Sequence, residues 1–295
     1  MEYIIDNNTY ILSKDKNKND VTNHQVHDVL FKLLEEFNRV CRKNNVDYAL
    51  AFGSALGIYN YQGFIPWDDD IDIVIDYFDR FKLIEALEKD LGEDFAFECY
   101  ERDERYNILI PAIKVRYKPS HIKEKNHFRL PNRVNNSDGV FIDITYLMGV
   151  PNNEKEHKRM LRKSWWKMPG YVILDAFFHI NPKKLKIKMK KVEENWANKY
   201  KDSEIISQSV IMPFQIYPKK KYHHISFPKE VIYPFKEYDF NGKKFYSFNK
   251  LKEFCVLMYG ERSLKKEVNG QYVDPFPIKK RKSDHLIIVD IEKNI

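Results

Sequence analysis

The sequence predicts an α/β (α+β) protein: a mixed sheet flanked by helices, with a basic helical insertion and a C-terminal extension. Three observations carry this. Apolar, β-branched runs interleave with stretches of helical periodicity over residues 1–154. A block dense in lysine and aromatic residues occupies 155–201. The remainder, 202–295, is aromatic and proline-rich, with short strand-like runs.

The elements follow in order. Residues up to Asp20 read as a short strand or hairpin and a polar linker from Lys14. Val26, Leu30, Leu33, Leu34, Phe37, Val40 and Cys41 recur at helical spacing, and Asn44-Asn45 ends that helix. Tyr48 to Phe52 is a buried strand running into a Gly53-Ser54 turn, with a short helix from Ala55 to Tyr59. An acidic strand through Ile75 follows the turn Tyr61 to Phe64. A helix then runs from Phe78 to Leu91, with Phe81, Ile84, Leu87 and Leu91 inward. Strands are predicted at Phe95 to Tyr100, Asn107 to Tyr117 and Gly139 to Ile144. The block Lys155 to Lys201 reads as two helices broken at Pro169-Gly170 and Asn181-Pro182. Leu251 to Tyr259 is a last helix stopped by Gly260.

With 295 residues, 43% of them hydrophobic and 32% charged, the chain buries a sizeable core and is not a disordered polymer. No apolar run has the length of a bilayer span. Met1 to Asp6 lacks a basic-then-apolar leader pattern, and Cys41, Cys99 and Cys255 have neither metal spacing nor an even count. The expected setting is a reducing cytoplasm. The net charge of +7 is uneven, with acids concentrated before residue 105 and lysines between 155 and 201. That asymmetry points to an anionic partner.

Chemistry concentrates at Asp68-Asp69-Asp70-Ile71-Asp72-Ile73, directly after Ile65-Pro66-Trp67. In a strand Asp70 and Asp72 share a face, roughly 6.6 Å apart. Two charges about 5 Å apart at an effective dielectric of about 20 repel by roughly 3 kcal/mol. A cation offsets that cost, and hard carboxylate oxygens select Mg²⁺ or Mn²⁺. Asp68 shares their parity but lies at the strand's mouth; Asp69 faces the other side. Two further pieces fit the acid pair. Gly53-Ser54 sits between a strand and a helix, where backbone N–H groups and a helix N-terminus receive phosphate. Asp143 is a lone acid on a later strand. Three carboxylates around one or two divalent ions suit in-line phosphoryl displacement.

This order of parts resembles the nucleotidyltransferase superfamily. More narrowly, Tyr48 to Gly57, Gly63 to Asp72, the helix before them and Gly139 to Ile144 with Gly149-Val150-Pro151 resemble the LicD family. Tyr259-Gly260, Pro275, Arg281 and His285 resemble its C-terminal block. Two places depart from the family pattern: Asn60-Tyr61 stands where Arg-His is usual, and Thr145 to Met148 where Phe-Pro-Leu-Asp is usual.

The resemblance implies Mg²⁺-dependent transfer of phosphocholine, or a related phospho-substituent, from a CDP-linked donor. The acceptor would be a sugar hydroxyl of a glycan or lipid-linked glycan, such as teichoic acid, lipopolysaccharide or capsule. Asp70 and Asp72 would hold the metal, Asp143 would complete its shell or accept the acceptor hydroxyl's proton, and Gly53 and Ser54 would cradle phosphate. Lys114 or Arg116 would replace the absent arginine as a charge clamp. Trp67, Arg281 and His285 are candidate substrate contacts. Lys155 to Lys201, with Trp165-Trp166 and Phe177-Phe178, is read either as a solvated helical face or as a peripheral contact with the inner, anionic face of a membrane. A nucleotidyltransferase that attaches NMP to a small molecule, protein or RNA would share the metal site. A non-catalytic nucleic-acid-binding protein is the third reading. Against it, lysine outnumbers arginine in the basic block, no binding motif is present, and the acids repel phosphate; no nucleic acid is expected.

Overall fold

A computed structural model describes residues 8–106, 108, 112–124, 138–166, 168–174, 178, 180–209, 226–268, 271–276 and 286–291. Strands β1 (Ile11–Lys14) and β2 (Asp20–Thr22) form a hairpin leading into α1 (Asn23–Lys43). Thr22 and Gln25 close a capping box at the start of α1. Its predicted apolar stripe, Val26 to Cys41, is wholly buried. Asn44 caps it and Asn45 turns left-handed at φ 54°, a conformation asparagine tolerates better than most residues.

Next come β3 (Ala49–Leu50), α2 (Phe52–Tyr61), β4 (Asp72–Asp76) and α3 (Arg80–Asp90). Helix α2 begins three residues earlier than expected, so Gly53 and Ser54 lie in its first turn. The regular strand begins at Asp72, later than expected, and Asp70 lies in the extended segment before it. In α3 the inner face is Leu83, Ile84 and Leu87. Phe81 is 52% exposed, under the Arg80 guanidinium.

Strands β5 (Phe95–Cys99), β6 (Ile113–Tyr117), β7 (Ser120–Glu124) and β8 (Phe141–Gly149) follow. The basic block forms three helices rather than two: α4 (Glu154–Trp165), α5 (Met168–Val172) and α6 (Lys183–Lys199). Pro169 and Gly170 lie inside α5, where proline in the first turn lacks no needed donor. The chain then gives β9 (Ile205–Gln208), β10 (Ser226–Pro228), α7 (Lys229–Ile232), β11 (Lys236–Phe240), β12 (Lys243–Ser247) and α8 (Leu251–Tyr259). Gly260 at φ 83° ends α8 as predicted. Strands β13 (Lys266–Val268), β14 (Gln271–Val273) and β15 (Leu286–Ile291) complete the described chain.

The central sheet runs β10-β9-β8-β4-β3-β12-β11, with β6 pairing β8 and carrying β5. It is mixed: β4–β8 and β3–β12 are parallel, and β3–β4 and β6–β8 antiparallel. Strand β8 is long enough to pair β6 through Phe141 to Ile144 and β9 through Leu147 to Gly149. Helix α1 packs on β6 and β8, α2 on β4, and α6 on β8. One apolar core runs beneath them all. Cys41, Cys99 and Cys255 are buried in it as free thiols, and burial pushes the Cys99 and Cys255 thiols up to about 12.

Candidate active site

The turn from β3 into α2 is sharp. Phe52, a buried aromatic residue, sits at φ 43°, in the left-handed region that disfavours a side chain. That turn brings Gly53 and Ser54 against the acidic segment. A Cβ at position 53 would lie 3.0 Å from Asp68 Oδ2, so the glycine permits the approach. Ser54 Oγ accepts a hydrogen bond from the Asp72 backbone N–H at 3.0 Å, and the Ala51 N–H donates to the Asp72 carbonyl at 2.9 Å. The serine hydroxyl thus fixes the acid strand and keeps its own proton to donate.

The acidic run alternates as expected for an extended chain. Asp68, Asp70 and Asp72 are half-buried, and Asp69 and Ile71 are buried. Asp69 Oδ2 accepts from the Leu286 N–H at 2.9 Å and so anchors β15. Asp72 stands directly opposite Asp143 on the parallel neighbour β8. Lys114 on β6 stands opposite Asp143 from the other side, and Glu98 on β5 is opposite Lys114. In-register partners project to one face of a sheet. Four charged residues thus form a row across four strands, Asp72–Asp143–Lys114–Glu98.

Lys114 Nζ lies 3.1 Å from Asp143 Oδ1, with side chains only 5% and 17% exposed. It also lies over the Phe141 ring. The clamp expected of Lys114 therefore starts from a carboxylate partner. Arg116 has a different position from the one expected. It is sealed in the core, Nε 3.0 Å from Glu98 Oε2 and Nη1 2.9 Å from the Gly139 carbonyl. Its fork is occupied by structure and does not reach out as a phosphate clamp. Trp67 is likewise corrected: at 7% exposure it is held edge-on by Tyr10, Tyr61 and Phe276, and it packs the loop instead of facing a substrate. Arg281 and His285 lie outside the described residues.

The two residues at the departure from the family pattern have structural tasks. Asn60 is fully buried, donating to the Ser263 carbonyl and accepting from the Lys265 N–H, both at 2.9 Å. Tyr61 donates to Asp274 Oδ2 at 2.8 Å. Together they tie Ser263, Lys265 and Asp274 to α2. Lys265 Nζ lies 3.9 Å from the Tyr61 ring centre, so a cation does come to this position, from far along the chain.

His27 was missed in the sequence, where it read as one more residue of an amphipathic helix. Its Nε2 is 2.8 Å from the Asp68 carbonyl, and its ring stacks on Phe64 at 4.1 Å. A carbonyl only accepts, so Nε2 carries the proton. Burial, the dominant influence, pushes this imidazole down to about 4. The unfolded chain takes up the proton as pH falls through 6.5. The folded chain resists until about 4. His27 therefore supports stability fully above 6.5 and loses that support as pH falls towards 4, by about 3 kcal/mol in total. Urea unfolding of His27→Gln should show a correspondingly shallower loss of stability across that window; an unchanged pH slope would dismiss the assignment.

The donor set at this edge is oxygen-only and acidic, Asp68, Asp70, Asp72 and Asp143, and among the described residues the Lys114 ammonium pairs with Asp143. That excess of negative charge on hard ligands fits a divalent cation of the Mg²⁺ or Mn²⁺ kind. Among the described residues, no three His, Cys, Asp or Glu side chains are already drawn together as a metal site.

A sharp strand–helix turn thus faces paired acids on neighbouring strands, the order of parts by which the sequence resembles the nucleotidyltransferase superfamily. Residues 45–144 match the family described as LicD/FKTN/FKRP, nucleotidyltransferase domain. Over this segment the chain is similar to the nucleotidyltransferase domain of that family. The chain is 25% identical over 253 residues to the lipopolysaccharide cholinephosphotransferase LicD of Haemophilus influenzae, covering 79% of this chain and 88% of that protein. Shorter stretches match uncharacterized proteins of Rickettsia prowazekii (35% over 71 residues, 23% of this chain and 27% of that protein) and Rickettsia typhi (37% over 58 residues, 20% and 19%).

Proposed function

We propose that this protein transfers phosphocholine, or a related phospho-substituent, from a CDP-linked donor to a sugar hydroxyl of a cell-surface glycan or glycolipid. The observation that carries the reading is the register of Asp72 opposite Asp143, behind the Gly53-Ser54 turn. The Haemophilus relative, a cholinephosphotransferase by name, supports the choice of group and acceptor. Asp70, Asp72 and Asp143 would hold Mg²⁺ or Mn²⁺. Bound there, the ion would neutralise charge on the donor diphosphate. Ser54 keeps its hydroxyl proton for a phosphate oxygen while its oxygen holds the Asp72 backbone. The α2 N-terminus adds a positive pole for the same anion. Lys114 holds Asp143 at 3.1 Å and supplies positive charge beside the reacting phosphate. The half-buried carboxylates leave room for one of them to accept the acceptor hydroxyl's proton.

Incubation with CDP-choline, CDP-glycerol, CDP-ribitol and CDP-ethanolamine, each with Mg²⁺ and an acceptor glycan, should release CMP from one of them, and EDTA should stop it. CMP release from none would overturn the reading. The second reading, NMP transfer, is favoured by the domain's family description. It predicts a product that retains the nucleotide, which mass spectrometry separates from a phosphocholine adduct.

A further inference from the structure

The helices α4 to α6 carry a surface that the transfer reaction does not use. Eleven large hydrophobic side chains are exposed among the described residues, and five of them fall between positions 166 and 187. They are Trp166 (69% exposed), Ile173 (47%), Phe178 (65%), Ile180 (53%) and Ile187 (48%). The other six are spread over the rest of the chain. Single exposed apolar residues are ordinary, but a local concentration marks an interaction surface.

Local geometry gathers the five. The Phe178 N–H donates to the Ile173 carbonyl and the Ile180 N–H to that of Leu174, bringing Phe178 and Ile180 beside the end of α5. A Cβ on Gly170 would touch Leu185, so α5 lies beside the first turn of α6, and α4 packs on α5.

The lysine run of α6 is divided by its helical period. Lys186, Met189, Glu193 and Ala197 form the buried stripe. Lys186 is 1% exposed and donates to the carbonyls of Glu104, Arg105 and Tyr106 at 3.1, 3.1 and 2.8 Å. Lys190 pairs with Glu101 and Glu193 at 3.1 and 2.7 Å. These inward lysines fix the rotation of α6. Lys184, Ile187, Lys188 and Lys191 are left on the outward stripe, at i, i+3, i+4 and i+7. Those three lysines make no ion pair among the described residues.

We infer that this surface docks the protein peripherally on an anionic lipid bilayer. Trp166 and Phe178 would enter the headgroup boundary, and Lys184, Lys188 and Lys191 would face the lipid phosphates. The chemistry selects a membrane over a protein or nucleic acid. The cations of α6 are all lysine, which protein interfaces disfavour and anionic leaflets attract. Tryptophan beside lysine is the composition of interfacial helices. No helix among the described residues is long and apolar enough to cross a membrane, so the contact is superficial. On the opposite, buried face of α6, Lys186 holds the carbonyl of Tyr106 at 2.8 Å and ties the helix to the body of the protein.

The full chain should sediment with phosphatidylcholine vesicles containing phosphatidylglycerol, and not with phosphatidylcholine alone, with a blue shift of tryptophan fluorescence that Trp166→Phe removes. The triple variant Lys184→Gln/Lys188→Gln/Lys191→Gln should weaken binding by about fivefold per lysine, about a hundredfold together. Circular dichroism should show both variants folded, and CMP release toward a soluble acceptor should be unchanged. Three results would each overturn the inference: no sedimentation with the anionic vesicles, binding by the triple variant as tight as by the parent, or self-association through this face that Trp166→Ser abolishes. CMP release that fails in the parent chain as well bears on the reaction and leaves the vesicle result to stand by itself.

Discussion

Asp72→Asn should lower the rate of group transfer at least about 10³-fold, a loss of about 4 kcal/mol of transition-state stabilisation, while the protein stays folded. Asp72 is half-buried, and its backbone N–H donates to Ser54, a contact the substitution leaves intact. The amide is nearly isosteric and removes one charge facing Asp143. In metal-free protein the melting temperature should therefore hold or rise slightly, because repulsion is relieved. Activity should fall because a neutral amide is a poor ligand for a hard dication. Asp70→Asn should behave in the same way. Asp143→Asn is a less clean test, since it also removes the carboxylate partner of a nearly buried Lys114 and should cost stability as well as rate. Transfer rates with the donor identified by the screen, alongside thermal melts, check all three. Near-parental turnover by Asp72→Asn would remove the metal-site assignment.

Arg116→Met should destabilise the fold by about 3–5 kcal/mol, a large fraction of the roughly 5–15 kcal/mol a typical domain possesses. Arg116 and Glu98 are 1% and 4% exposed and 3.0 Å apart, and the guanidinium also serves the Gly139 carbonyl. Removing the cation leaves the Glu98 carboxylate in the core without its guanidinium partner. The double variant Arg116→Met/Glu98→Gln should recover much of the loss, because both charges then leave together. Urea denaturation of the two single variants and the double variant measures the coupling. A stable Arg116→Met protein with weakened donor binding would instead restore the phosphate-clamp role expected from the sequence.

Arg116 shows why part of the site was not legible in the sequence. Lys114 and Arg116 have the same strand parity and similar charge, so spacing alone gives them the same role. What separates them is what stands across the sheet, Asp143 and Glu98 for Lys114 but Phe141 and Ala96 for Arg116, and that depends on pairing between residues up to some thirty positions apart. Trp67 was misread for a related reason. Its neighbours Tyr10 and Phe276 come from opposite ends of the chain. The lysine run was ambiguous because a charged helix has no apolar stripe to orient it. Its rotation is set by the carbonyls of 104–106 and the carboxylate of Glu101, not by its own pattern.

Where local physics suffices, the sequence was readable. The α1 stripe, its asparagine stop and the Gly260 end of α8 follow from periodicity and left-handed caps. The alternation of Asp68, Asp70 and Asp72 follows from the extended backbone.

The sequence by itself determined the α/β fold class, the acid run and the turn that faces it, because these are set by neighbours within a few residues. Only the tertiary structure decided that Asp72 meets Asp143, that Lys114 attends them while Arg116 is sealed in the core, and which lysines face outward. Each of these depends on strand order and helix rotation. Those are fixed by burying the whole apolar core at once, and no local stretch of sequence encodes that balance.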